Sequence, residues 1–405
     1  MSNLLLQFTN KFSSIKNQVS DEEMFFGREK TMSDIIEKVS SANTGKSIIL
    51  YGQMRAGKTT ILRFLMQRLR KDSKNIIVNY RALSETSNDS NDKFIYGFFT
   101  RFFLLFKNEI TYKHKELSEQ LKNENIDLDA IEKKLKDENN IDKFITTFEV
   151  EFENICNAIK SIKNDYRIFL MCDEFTVLYE WIRKDRIGDK NERERINDRI
   201  LIILKNLVEN YNLIEIIAGH NMLEFADEFA NAFGGAEFFK ISYLEKNEAM
   251  KMMDEPIKYH GKSRYKEDTL ERLYELTAGS AYLIVLLCLG LVDFMNKNKY
   301  TYVTNMILEE YLEAFLKGNL NTGHTEKTLF EPQYAEFNYI GSEKEEREKR
   351  NRNLIKRIAD YSADSDFVSI NDIAEDKTDI DILNNLEKRD VVLTYDNKCK
   401  IRKLQ

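Results

Sequence analysis

The eight residues Gly52-Gln53-Met54-Arg55-Ala56-Gly57-Lys58-Thr59 satisfy the spacing GxxxxGK[ST]. That spacing suits polyphosphate chemistry. Glycines let the backbone curl so that successive N–H groups point inward. The helix expected to follow turns the positive end of its dipole toward the phosphates. Lys58 then reaches the β- and γ-phosphates, and Thr59 offers a hydroxyl to Mg²⁺. Gly52 to Thr60 are therefore the nucleotide-binding candidates. Arg55 has two readings: charge held toward phosphate, or outward packing, the commoner one in such loops.

Polyphosphate cleavage needs a second set of groups. An apolar run, Ile168 to Cys172, ends in Asp173 and Glu174. Asp173 is placed to hold Mg²⁺ through water. Glu174 is placed to orient and deprotonate the attacking water as a general base. A further apolar run, LIEIIAGHN, ends in His220 and Asn221. Either residue is a candidate sensor of the γ-phosphate, and the sequence does not choose between them.

These groups need strands that end together. SIILYG before the loop reads as a buried parallel strand, and ILRFLMQRLRKD after it as an amphipathic helix. NIIVNYRAL, RIFLMCDEF, LIEIIAGH and AEFFKISYL supply four more strands. Five strands with helices between them predict a parallel α/β sheet covered on both faces. Resemblance to proteins that insert a strand between two such motifs implies that the LIEIIAGH strand lies beside that of the loop. Residues 84–163 lack strand signals, are rich in Lys, Glu, Asn and aromatics, and read as a helical insertion whose run FIYGFFTRFFLLF is core. The resulting division is an N-terminal segment 1–23, a core 24–244, a helical lid 245–317, a linker 318–342 and a C-terminal domain 343–405. Helix, short helix, helix, then two strands in that last segment predict a winged helix.

Composition narrows the class. Only 15 Gly and 2 Pro in 405 residues exclude collagen-like and Pro-rich architectures and favour helix. A net charge of -7 excludes a globally basic nucleic-acid coat but not a local basic face. Cys156, Cys172, Cys288 and Cys399 form no CxxC pair, so a reducing compartment fits better than a disulfide framework. The N-terminus has no secretory pattern, and the twelve apolar residues 281–292 fall short of a bilayer span, so the run reads as a core helix. A cytoplasmic protein without membrane attachment is expected.

FFGRE, YGQMRAGKTTIL, FLMCDEF, IIAGH and ELTAGSAYLI, in that order, resemble AAA-related P-loop ATPases of the STAND and archaeal/bacterial ATPase group, with origin-recognition initiators as more distant relatives. The resemblance covers roughly Met24 to Leu316. It implies ATP rather than GTP and, with Mg²⁺, a P-loop α/β core under a helical lid. Phe26, Gly27 and Arg28 match the motif that packs near the adenine. TAGSAY matches a lid motif that usually reads Gly-x-Pro, with Ala281 in the proline's place. No arginine lies between Arg199 and Arg264, where ring-forming relatives carry an arginine finger.

That absence points to a slowly hydrolysing nucleotide switch that signals to a partner protein or oligomer. The alternative is a DNA-associated loader or recombination accessory using the winged helix. A third reading is a scaffold that holds nucleotide without turnover. The candidate recognition helix, TDIDILNNLEKR, carries Asp379 and Asp381 in its N-terminal half, which argues against base reading. Its wing is basic, with Lys398, Lys400, Arg402 and Lys403.

Overall fold

The computed structural model describes residues 12, 24–40, 45–72, 76–83, 91–178, 190–211, 213–220, 222, 226, 233–266, 268–316, 341–361, 367–388 and 391–401. The chain divides into two compact units. One comprises Thr31–Tyr51 and Ile61–Lys240, the other Met1–Lys30, Gly52–Thr60 and Ile241–Gln405.

The first unit is built on a parallel five-stranded sheet. Its strands are β1 (Lys46–Tyr51), β2 (Ile76–Ala82), β3 (Arg167–Asp173), β4 (Ile214–Gly219) and β5 (Glu237–Lys240), in the order β2-β3-β4-β1-β5. β4 thus lies between the strand that leads into the loop and the strand that ends in the acids, beside β1 as expected. β1, β3 and β4 are buried along almost their whole length, as parallel strands covered on both faces must be. Helix α1 (Glu29–Ser40) precedes β1, and α2 (Lys58–Asp72), α3 (Asn91–Lys113), α4 (Lys115–Asn123), α5 (Leu128–Asp137), α6 (Ile141–Ile162) and α7 (Lys190–Tyr211) come between strands.

The aromatic run of α3 is core. Phe98, Phe99, Phe102 and Phe106 are buried, and Phe99 and Phe102 meet Phe148 and Phe152 of α6 at ring-centroid distances of 4.7 to 5.7 Å. Two polar residues of β2 fasten α3 to the sheet. Asn79 donates to Phe102 O at 2.7 Å, and Arg81 to Phe98 O at 2.6 Å with its guanidinium over the Phe98 ring. Asp127 and Asn140 cap α5 and α6 by accepting backbone N–H groups of their first turns.

In the second unit a helical bundle packs α8 (Lys246–Asp254), α9 (Thr269–Thr277), α10 (Ala281–Asn298) and α11 (Asn305–Leu316) around Met253, Leu273, Ile284, Leu291 and Leu308. α10 has 18 residues, longer than the apolar run of twelve suggested. By length and composition it is apolar enough to cross a membrane, and half of it is buried in this bundle.

The C-terminal residues form α12 (Gly341–Tyr361), β6 (Val368–Ser369), α13 (Ile370–Ile373), α14 (Lys377–Lys388), β7 (Val392–Tyr395) and β8 (Lys398–Ile401). The three strands make an antiparallel sheet ordered β6-β8-β7. Asp396 and Asn397 turn the β7–β8 hairpin with positive φ at both positions, the conformation a two-residue hairpin turn demands. The charged run 343–352 lies inside α12, which opens at Gly341. Asp379 corrects a sequence expectation. It is not displayed on the face of α14 but is 0% exposed, 3.0 Å from Arg350 and 3.7 Å from Arg357 of α12. Its Oδ2 also accepts the Glu375 N–H. The carboxylate that counted against a nucleic-acid surface is an internal tie between two helices.

The four cysteines are unpaired and buried. The linker 318–342 falls almost wholly outside the described residues, as does most of the segment 1–23.

Glu215 of β4 sits in the sheet interior, 1% exposed, opposite Ser47, whose hydroxyl donates to it at 3.0 Å. Burial raises its carboxyl to about 7, against the smaller opposing effect of the Ser47 hydrogen bond. The folded value exceeds the unfolded one, so the stability contributed by the neutral carboxyl is complete below about 4.5 and is lost as pH rises through about 7. Glu215→Gln should therefore stabilise the protein at pH 8 by on the order of 3 kcal/mol and make little difference at pH 5. Urea unfolding at the two pH values checks this. An equal effect at both would show that Glu215 does not titrate in this window.

Candidate functional site

The loop between β1 and α2 turns on itself. Ala56 N–H bonds Gln53 O at 3.2 Å, and Arg55 adopts φ 63°. Gln53, Ala56 and Lys58 are buried, Met54, Thr59 and Thr60 half-buried, and Arg55 exposed. The Lys58 ammonium donates to Gly52 O and Gln53 O, both at 2.9 Å, so its charge is held over the loop's own backbone. Gly57 has φ 99°, and a Cβ there would meet nothing within 4 Å. Its side of the loop is open, and the conformation is one that an L side chain rarely adopts. α2 opens on Lys58 with no acid in its first turn, so nothing opposes an anion at its N-terminus. A concave backbone, an inward ammonium and an unopposed helix dipole fit a polyphosphate.

Residues distant in sequence brace this loop within the same unit. Arg28, just after Gly27, donates to Ala56 O at 3.1 Å and also to Ser242 O. Burial lowers the Arg28 pKa from its ordinary value, against a smaller opposing effect of Glu29. Phe26 is half-buried against the helical core of this unit. On the outer side, the Arg55 guanidinium lies 4.2 Å from the ring centroid of Tyr282, the second residue of α10. Arg55 thus takes the outward reading. The turn into α10 is tight: Leu244 N–H bonds Gly279 O at 2.8 Å.

The acid pair belongs to the sheet unit. Asp173, the last residue of β3, is 4% exposed. Its Oδ1 accepts the Glu174 N–H at 3.0 Å, and its Oδ2 faces the Tyr80 hydroxyl of β2 at 3.4 Å. Tyr80 has its pKa raised, first by burial and next by the Asp173 charge. Glu174 stands exposed at φ 55°, a left-handed conformation that costs a non-glycine residue on the order of 1 kcal/mol. The next residue is anchored by Phe175 N–H to Ala218 O at 2.8 Å. The strained turn thereby presents the Glu174 side chain to solvent while Asp173 stays inside. Thr176 Oγ1 lies 3.1 Å from His220 Nδ1 just beyond β4. Asn221, the other candidate sensor, is outside the described residues.

Tyr80, Thr176 and Tyr282 were not expected at these places. Tyr80 reads as one more apolar strand residue, and Tyr282 as part of an apolar helix.

A family model described as an ATPase domain predominantly from Archaea matches residues 25–287. None of the curated proteins matches. Among solved structures, the Aeropyrum pernix Orc1 protein in complex with DNA aligns with TM-score 0.44 at 9% identity, covering 93% of this chain and 90% of that one. Thermotoga maritima RuvB, the Holliday junction branch migration motor, aligns with TM-score 0.42 at 10% identity, covering 96% of this chain and 93% of that one.

The turn before α10 can be tested directly. Gly279 has φ 75°, and a Cβ there would stand 2.0 Å from Leu244 O. Gly279→Ala should cost ~2 kcal/mol or more, lowering the unfolding midpoint by several degrees. A midpoint identical to wild type would mean that this turn is not held as described.

Proposed function

The chain belongs to the ATPase-domain family found predominantly in Archaea, an AAA-related P-loop family, and from that premise we propose that it is an Mg²⁺-dependent, slowly hydrolysing ATP switch of STAND type that signals to a partner protein. Lys58 and the backbone of Gly52 to Thr60 bind the triphosphate, and Phe26, Gly27 and Arg28 lie on the nucleoside side. Thr59 and Asp173 are hard oxygen donors of the kind that hold Mg²⁺, Asp173 through water. Held there, the ion would supply positive charge against what develops on the phosphate oxygens. Glu174 orients and deprotonates the attacking water, and its exposed carboxylate at a fixed backbone turn suits that work. His220 or Asn221 senses the γ-phosphate.

The observation that carries the switch is the contact between loop and lid. Arg55 stacks on Tyr282, and Arg28 ties the loop carbonyl Ala56 O to Ser242 O. A nucleotide that moves the loop backbone must therefore act on the start of α10, the coupling a two-state device needs. The four reduced, buried thiols support a cytoplasmic place for it.

The second reading, a DNA-associated ATPase working through a C-terminal winged helix, gains from the position of Asp379. With that carboxylate interior, the exposed residues of α14 include Lys377, Asp381, Asn384 and Lys388, and the following hairpin carries Lys398 and Lys400. Its net positive charge is small, so a protein-facing role remains the favoured one.

Lys58→Ala should abolish nucleotide binding, and unchanged affinity would refute the loop assignment. Steady-state ATP turnover should be slow and indifferent to duplex DNA at one fixed salt concentration. Clear stimulation by DNA would favour the second reading. In the wild type, ATP should slow hydrogen exchange in the first turns of α10. Tyr282→Ala should remove that protection while changing ATP affinity less than about fivefold. Protection that persists in Tyr282→Ala would sink the loop-to-lid coupling.

A further inference from the structure

We propose that Tyr80 and Arg63 are positioning residues that fix the Asp173 carboxylate for metal binding. The proposal rests on reading Asp173 as the metal-site acid.

The parallel register pairs Ala82 with Asp173 and Tyr80 with Met171. Tyr80 therefore lies two residues before the level of the acid on the neighbouring strand, on the same face of the pleat. A tyrosine is long enough to span that diagonal, and its hydroxyl arrives 3.4 Å from Asp173 Oδ2. The other carboxylate oxygen, Oδ1, accepts the Glu174 N–H at 3.0 Å. These two contacts, on different oxygens, together define the plane of the carboxylate.

Arg63, on α2, steadies the ring: its guanidinium carbon lies 5.9 Å from the Tyr80 ring centroid. An ionised carboxylate only accepts, so the single Tyr80 proton goes to Asp173. Neutral donors held in this manner are what orients ligands of metal sites, and their loss commonly costs ten- to a hundredfold in metal affinity or activity.

Tyr80→Phe removes only the hydroxyl. It should raise the Mg²⁺ concentration for half-maximal ATP turnover about tenfold. ATP affinity measured in EDTA should not change. Mn²⁺ affinity of the protein–nucleotide complex, read by electron paramagnetic resonance without turnover, should fall by the same factor. Arg63→Ala should reproduce part of the effect, and Arg63→Lys, still a cation over the ring, should recover part of it. Asp173→Asn separates the two layers. If Asp173→Asn leaves Mn²⁺ affinity at the wild-type value, Asp173 is not the metal-site acid and the proposal falls with that reading. If Asp173→Asn lowers Mn²⁺ affinity but Tyr80→Phe and Arg63→Ala, both folded, leave it unchanged, the reading stands and the positioning role is overturned.

Discussion

The register of three parallel strands governs where chemistry can take place. Tyr51 pairs with Gly219 across β1 and β4, and Cys172 pairs with Ile217 across β3 and β4. The ends of all three strands therefore fall on one edge. The chain leaves β3 at Glu174 and β4 at His220, so the acid pair and the candidate sensor follow from a single alignment. A parallel sheet permits this because each strand is reached by a crossover that returns the chain to the same starting edge. A slip of one residue in β3 would turn Asp173 to the opposite face.

Holding that alignment requires polar groups inside an apolar sheet. Asn79 and Arg81 spend their donors on carbonyls of α3, which ties β2 to the aromatic core of the insertion. Glu215 is shared between β4 and Ser47 of β1. Each of these groups is expensive to bury and specific once bonded, so each resists any alternative pairing of its strand. The insertion between β2 and β3 is thus part of what keeps β2, and Tyr80 on it, in place.

Much of this was legible in the sequence. The loop motif, the apolar strands and the helical character of residues 84–163 all announce themselves through spacing and periodicity. The place of β4 beside β1 follows from resemblance to proteins that insert a strand between the two motifs, not from local pattern. Less legible were contacts made by ordinary residues. Tyr80 and Tyr282 are aromatic residues in apolar patterns, and nothing local distinguishes a tyrosine that bonds a carboxylate or receives a guanidinium from one that fills the core. The bonds of Arg28 to Ala56 O and to Ser242 O, the second 214 residues away along the chain, leave no local mark either. Asp379 misled for a related reason. Charge counted along a helix says nothing of which face is turned inward, and only the two arginines of α12 make its burial tolerable.

The thiols have a practical consequence. Burial pushes all four upward, Cys399 to about 11 and Cys288 to about 12, with Cys156 and Cys172 higher still. At neutral pH almost none of the native sulfur is thiolate, and thiolate is the reactive form. A cysteine engineered onto the surface would then be the only fast-reacting nucleophile of its kind on the described part of the molecule. Spin labels or fluorophores could be attached in pairs to the otherwise native chain, and the distance between the loop and the helical bundle followed as ATP is added.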